Sequence, residues 1–177
     1  MISDIQRTLK NAGFNPGGID GQWGPLTQAA LDSYERQNKG AQIPPWLLVA
    51  ERELGVHEIT GAKHNARILE YHRHTSLQAS SDEVAWCSSF ANYCMDIAGL
   101  HGTHSASAAS WLDWGKKLVA FQYGCVCVFN RTGGNHVAFG VWQDVDNDGI
   151  YVLGGNQSNS VCVTREPLGR LRGYRWA

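Results

Sequence analysis

The chain has 177 residues, enough for one medium domain or for a small module plus one domain. Its hydrophobic fraction of 43% allows an ordinary packed core, and its formal net charge of −1 offers no basic field for nucleic acid or an anionic membrane. No run of about 18 apolar residues occurs, so no membrane insertion is expected. Met1-Ile2-Ser3-Asp4-Ile5-Gln6 lacks the basic-then-apolar pattern of a secretory signal, so accumulation in the cytosol is expected.

Residues 1–38 read as a small helical module. Ser3 with Gln6 fits a capping box, Ile5, Leu9 and Ala12 follow at helical spacing, and Gly13 ends the helix. A Gly-rich loop runs to Gly24, and Pro25 suits the first turn of a second helix with Leu26, Ala30 and Tyr34 on one stripe. The set Ile5-Gln6, Leu9, Gly13-Phe14, Asp20-Gly21, Trp23-Gly24, Thr27 and Ala30 resembles the three-helix peptidoglycan-binding module carried by many cell-wall hydrolases. The resemblance implies that Asp20, Gly21, Trp23 and Thr27 belong to the wall-binding part. The third helix of that module is not evident before Pro44-Pro45. Residues 39–45 are polar and Gly/Pro-bearing, and read as a short linker.

Residues 46–177 read as helices followed by strands. Helices are predicted around Trp46–Leu54, around Ala66–Tyr71 with Arg67 and Glu70 outside, over Cys87–Ala98, and over Ala106–Trp114. Strands are predicted at 125–129, 136–142, 150–154, 160–164 and 171–176, separated by Gly, Asn and Asp turns. Helices first and an antiparallel meander second make an α+β architecture. The five cysteines are odd in number and lack a secretory context, which argues against a disulfide framework. Cys94, Cys125, Cys127 and Cys162 are expected in the core.

Cys87, His136 and Asn156 supply the chemistry. Cys87 opens a predicted helix, where the positive end of the helix dipole lowers a thiol pKa and free N–H groups can donate to a developing oxyanion. His136 opens a strand after Gly133-Gly134-Asn135, and Asn156 follows Gly154-Gly155 at the end of the next strand. If those strands form a hairpin, His136 and Asn156 meet at its open end, and the amide accepts from the imidazole N–H and sets its tautomer. Nucleophile, base and orienting amide are the parts of a thiol hydrolase.

Other signals carry less. Asp144-Val145-Asp146-Asn147-Asp148-Gly149 matches half a calcium loop, but the twelfth position is Gly155 rather than a glutamate, so it reads as a hairpin turn. His57, His64, His72, His74, His101 and His104 lack zinc-finger spacing and read as surface residues, with no metal or other cofactor expected. Most of the seven tryptophans read as core.

Trp86-Cys87-Ser88-Ser89-Phe90-Ala91-Asn92, Ser110-Trp111-Leu112-Asp113-Trp114-Gly115, Asn135-His136-Val137-Ala138-Phe139 and Leu153-Gly154-Gly155-Asn156-Gln157-Ser158-Asn159 resemble the CHAP superfamily of papain-like cysteine, histidine-dependent amidohydrolases and peptidases, in a phage and prophage subgroup. Pro45-Trp46-Leu47, Glu53-Leu54-Gly55-Val56 and Gly173-Tyr174-Arg175-Trp176 extend the likeness over nearly all of residues 46–177. The chain has Asn135-His136 where that superfamily usually has Gly-His. The resemblance implies Cys87 as nucleophile, His136 as base and Asn156 as third member, with Trp86, Gln157 and Asn159 lining the cleft, and His104 is expected near substrate from its place beside Ser105-Ala106-Ser107. It further implies a monomeric, metal-independent peptidoglycan hydrolase of endolysin type, an amidase or endopeptidase. Such an enzyme waits in the host cytoplasm, needs a holin to reach the periplasm and wall, and lyses the bacterium. An interbacterial peptidoglycan-degrading toxin and a non-catalytic wall-binding protein are the competing readings.

Overall fold

The computed structural model describes all residues except Ala41, Ala62, Val145 and Asn147. The chain divides into two compact units, Met1–Pro44 and Pro45–Ala177.

The first unit holds two helices among its described residues, α1 (Ile2–Asn11) and α2 (Pro25–Lys39). Ile5 and Leu9 of α1 are buried with Ala30 and Leu31 of α2, and Phe14 meets Tyr34 edge-on at 5.8 Å. Pro25 takes the first position of α2, where its missing N–H costs nothing, and Gly40 closes the helix in the left-handed conformation. The expected Ser3–Gln6 capping box is not formed. The helix begins at Ile2, so the Asp4 carboxylate, at the third helical position, accepts from the Met1 amine at 2.7 Å. Gln6 is thereby turned inward, and it is 1% exposed.

Gln6 organises the loop that joins the helices. Its amide nitrogen donates to Asp20 Oδ1 at 2.9 Å, to the Gln22 carbonyl at 3.0 Å and to Thr27 Oγ1 at 3.2 Å. Its amide oxygen accepts from the Gly21 N–H at 3.0 Å, and Thr27 donates onward to the Pro16 carbonyl at 3.1 Å. A buried amide with every bond made is stabilising, whereas one left open would cost its full desolvation.

The second unit begins with α3 (Pro45–Arg52), α4 (Ala66–His72) and α5 (Cys87–Ile97). The fourth predicted helix is a 3-10 turn over Ala108–Asp113. Strands follow: β1 (Lys116–Leu118), β2 (Val126–Arg131), β3 (Gly134–Gln143), β4 (Gly149–Gln157), β5 (Ser160–Pro167) and β6 (Leu171–Trp176). Their order in one antiparallel sheet is β1-β6-β2-β3-β4-β5. The expected meander therefore covers only β2 to β5. The chain then returns past the sheet, and β6 inserts between β1 and β2. Strand β1 is a polar three-residue piece with too short a pattern to read from sequence.

Helix α5 packs on the sheet through Phe90, whose ring lies 6.4 Å from that of Phe139, and on α4 through Tyr71 at 5.3 Å. Beneath α4 and α5, Glu53 accepts from the Arg67 guanidinium and from the hydroxyls of Tyr71 at 2.7 Å and Tyr93 at 3.2 Å. A second cluster joins Cys125, Cys127, Phe129, Ala138, Ile150, Val152 and Tyr174. Cys94, Cys125 and Cys127 are buried as expected, but Cys162 is only half-buried. Its thiol donates to the Gln157 carbonyl at 3.2 Å.

His72 also departs from expectation. It is fully buried, with Nδ1 3.0 Å from Ser89 Oγ, because α4 turns Ile68, Tyr71 and His72 toward α5. The half-calcium-loop segment lies partly outside the described residues, at Val145 and Asn147. Two of its carboxylates are engaged: Asp144 accepts from Arg165 Nε at 2.7 Å, and Asp148 pairs with the same guanidinium. Among the described residues no helix is long and apolar enough to cross a membrane.

Candidate active site

Cys87 is the first residue of α5, and Trp86 is its N-cap. A buried indole holds that turn in place. Trp86 is fully enclosed and donates its N–H to Glu58 Oε1 at 2.7 Å. The next residue is also fixed, since Ser88 Oγ donates to the Ser105 carbonyl at 2.6 Å and accepts from Trp111 Nε1 at 2.9 Å. The thiol thus sits at a helix start anchored on both sides, where the first N–H groups have no partner within the helix.

His136 lies near the start of β3, after a turn in which Gly133 takes φ 84° and Gly134 φ 158°. Those values require glycine, and they fold β2 back onto β3 at Arg131↔Gly134. Cys87 and His136 line one cleft of about 230 Å³, together with Ala85, Arg131, Gly133 and Asn156. Arg131 is ion-paired with Glu166 along one wall.

The imidazole partner is Gln157 rather than Asn156. His136 Nε2 lies 2.9 Å from Gln157 Oε1. The amide nitrogen of Gln157 donates to the Val152 carbonyl at 3.2 Å and to the Cys162 carbonyl at 2.5 Å. With both its N–H groups given to carbonyls, the amide presents its oxygen to the ring. The ring nitrogen facing it is then the protonated one, which leaves Nδ1 as the free acceptor.

The shift of one residue has a clear cause. The ladder pairs Phe139 with Leu153, and continuing it in register would set Asn156 opposite His136. Between Gly154 and Gln157, however, β4 gains one residue against β5. Asn156 absorbs the extra residue at φ 54°. A slip of one exchanges the two faces of a strand, so the face counted for Asn156 is taken by Gln157. Asn156 remains at the cleft wall.

Burial sets the electrostatics. It pushes the Cys87 thiol up from its ordinary value, against the lowering effect of the Val137 and Ser88 N–H groups. The thiol depression expected from the helix start is therefore outweighed by desolvation. Burial, with Arg131 nearby, holds the His136 imidazole down to about 3, although its bond to Gln157 favours the charged form. Both shifts favour the uncharged forms, a thiol and a neutral imidazole.

Three other expected substrate contacts are not brought to this cleft. Trp86 is fully enclosed at the start of α5. Asn159 is exposed in the β4–β5 turn, where its carbonyl accepts from the Glu58 N–H at 2.9 Å. His104 stands beside Asp96, with 3.9 Å between Nδ1 and Oδ2. Gln157 is 1% exposed and bonded to the imidazole. Sequence reasoning missed Arg131, which nothing but its place two residues before the Gly-Gly turn could have marked.

In the N-terminal unit, Asp20 and Thr27 are tied to Gln6, so these residues build the loop. Trp23 donates to Gln28 Oε1 at 2.9 Å. Asp20, Trp23 and Thr27 border a second cleft of about 220 Å³ with Gly17, Gln22 and Leu26. Gly21 sits in the turn at φ 74° with its N–H on Gln6.

Residues 1–41 match the family model described as a putative peptidoglycan binding domain. The match supports a peptidoglycan-binding module at the N-terminus and an association of the chain with the cell wall. No curated protein matches the chain.

Proposed function

We propose that the chain is a peptidoglycan hydrolase, in which the N-terminal module holds the wall and a papain-like domain of CHAP type over residues 45–177 cleaves an amide bond of the stem peptide. The observation that carries this reading is the shared cleft: Cys87 at a helix start and His136 held through Nε2 by a buried amide line the same small concavity.

The chemistry follows from the tautomer. His136 Nδ1 takes the thiol proton as Cys87 Sγ attacks the carbonyl carbon. The free N–H groups at the start of α5 receive the developing oxyanion. The imidazolium then gives its proton to the leaving amine, the C–N bond breaks, and a thioester remains on Cys87. A water molecule attacks the thioester, His136 takes its proton, and the acid leaves as the thiol is re-formed. Gln157 keeps the ring oriented through both steps.

The biological role that fits this pairing of module and chemistry is an endolysin, made in the cytoplasm of a phage host and admitted to the wall by a holin. The test is digestion of purified peptidoglycan by wild type and by Cys87→Ala, with mass spectrometry of the soluble products. Intact stem peptides released by wild type alone indicate an amidase, and trimmed stem fragments an endopeptidase. Equal product from both proteins, or none from either, overturns the hydrolase reading.

A further inference from the structure

We propose that Asp96, His101 and His104 form a binding site for one divalent transition-metal ion of zinc type. One ligand atom from each of the three lies within 4.8 Å of the other two. Two imidazoles and one carboxylate are a donor set that zinc and its first-row neighbours accept, whereas calcium and magnesium favour all-oxygen sets. In chain order the histidines are only three residues apart and follow the end of α5 directly, which is not a zinc-finger pattern; the fold supplies the carboxylate.

Both histidines are set by bonds that come from outside their own loop. His104 takes the left-handed conformation at φ 51°. Its N–H donates to the Oδ1 of Asn92, a fully buried residue of α5, at 2.7 Å, and its carbonyl accepts from the Ser76 N–H at 2.8 Å. The His101 carbonyl accepts from Trp114 Nε1 at 2.8 Å. Between them, a Cβ built on Gly102 would fall 2.3 Å from Asn92 Oδ1 and 3.2 Å from the Trp111 ring, so the loop is drawn tightly onto α5.

The carboxylate is oriented as well. His74 Nδ1 lies 2.7 Å from Asp96 Oδ2, and Glu70 stands 4.0 Å behind the same ring. An outer group that fixes a ligand carboxylate is the usual second layer of a metal site. Tetrahedral zinc with bonds of about 2.0–2.1 Å holds its donors about 3.3 Å apart. The His104–Asp96 pair, at 3.9 Å, is already near that value. His101 and His104 are exposed, so their rings can turn to close the rest.

The ion would clamp the loop 99–107 to α5. That loop carries the Ser105 carbonyl bonded to Ser88, the residue after Cys87. The site is independent of the hydrolase reading, because none of its ligands lines the Cys87 cleft.

The experiment is zinc chloride titration of the full, chelator-stripped chain by calorimetry, alongside cobalt(II) absorption. The comparison proteins are Cys87→Ser, Asp96→Asn and the His101→Ala/His104→Ala double variant. One ion per chain is expected for wild type and Cys87→Ser. Affinity should fall at least about tenfold in the other two. Cobalt should give d–d bands with no intense sulfur-to-metal charge-transfer absorption. Absence of one-site binding, undiminished binding in the double variant, or a sulfur charge-transfer band would each overturn the proposal.

Discussion

Trp86 and Gly155 touch so closely that a Cβ built on the glycine would fall 2.5 Å from the indole Cζ3. The same Cβ would lie 2.6 Å from Phe90 Cβ. The β4 backbone thus lies directly against the first turns of α5, and this approach is what brings the strand carrying Gln157 up to the helix carrying Cys87.

The first expectation concerns that approach. Gly155→Ala should overpack two buried aromatic residues, one of them held by its bond to Glu58, and destabilise the fold by about 1–3 kcal/mol. Urea denaturation of wild type and variant measures the change. An unchanged midpoint would mean that α5 moves away freely.

A second expectation separates the two neighbouring amides. Gln157→Ala frees the imidazole from the amide that holds its Nε2, and a misplaced base costs about 100-fold in rate. Asn156→Ala removes a wall residue and should cost much less. Steady-state hydrolysis of soluble wall fragments is the measurement, with kcat falling more than KM rises in Gln157→Ala. The reverse ranking would return the orienting role to Asn156.

The third expectation follows from burial at the thiol. Cys87 is held above the ordinary thiol range and His136 titrates at about 3. The rate of alkylation by iodoacetamide should therefore be low at pH 5–7 and climb only above the usual free-thiol value of about 8.5. Mass mapping of the modified peptide keeps the reading on Cys87, since the chain has four other free cysteines. A plateau of high reactivity through pH 5–7 would show a thiolate–imidazolium pair instead.

How far the sequence carried this reading depends on the range of the interaction. Periodicity marked α1, α2, α5 and five of the six strands within a few residues, because each buries a regular face. Cys87 and His136 were visible because helix starts and Gly-Gly turns leave local signs. The partner of His136 was not, because a bulge of one residue in β4 leaves no trace in Gly-Gly-Asn-Gln, where either amide could serve. Gln6 resembles a cap in sequence for a similar reason: its role depends on a loop 14 to 21 residues away. The insertion of β6 beside β2 is likewise a property of the whole sheet, and no segment announces it.

The fourth expectation concerns acid. Asp82 is fully buried and joins two stretches, accepting from the N–H groups of Ile59 at 3.0 Å and Asn65 at 2.8 Å, with His64 Nδ1 at 2.8 Å. Burial raises its pKa, but the Asn65 and Ile59 N–H groups and His64 together outweigh it and hold the carboxyl at about 2. A folded value below the unfolded value of about 3.9 gives stability that is full above pH 4 and is lost as pH falls toward 2. Asp82→Asn should therefore lower stability at pH 6, and the gap to wild type should narrow at pH 3. Chemical denaturation at the two pH values checks this, and a gap that stays constant would contradict it.

The place of β6 bears on how the chain is made. It is the last strand in sequence, yet it fills an interior slot of the sheet, with β1 on one side and β2 on the other. During synthesis the segments bearing Cys87, His136 and Gln157 leave the ribosome first, but β2, which braces His136 through Phe129↔His136, gains its second neighbour only when Leu171–Trp176 follows. The nascent chain therefore has an open sheet edge at the strand beside its candidate base until β6 pairs with it. Timing is thus written into the strand order.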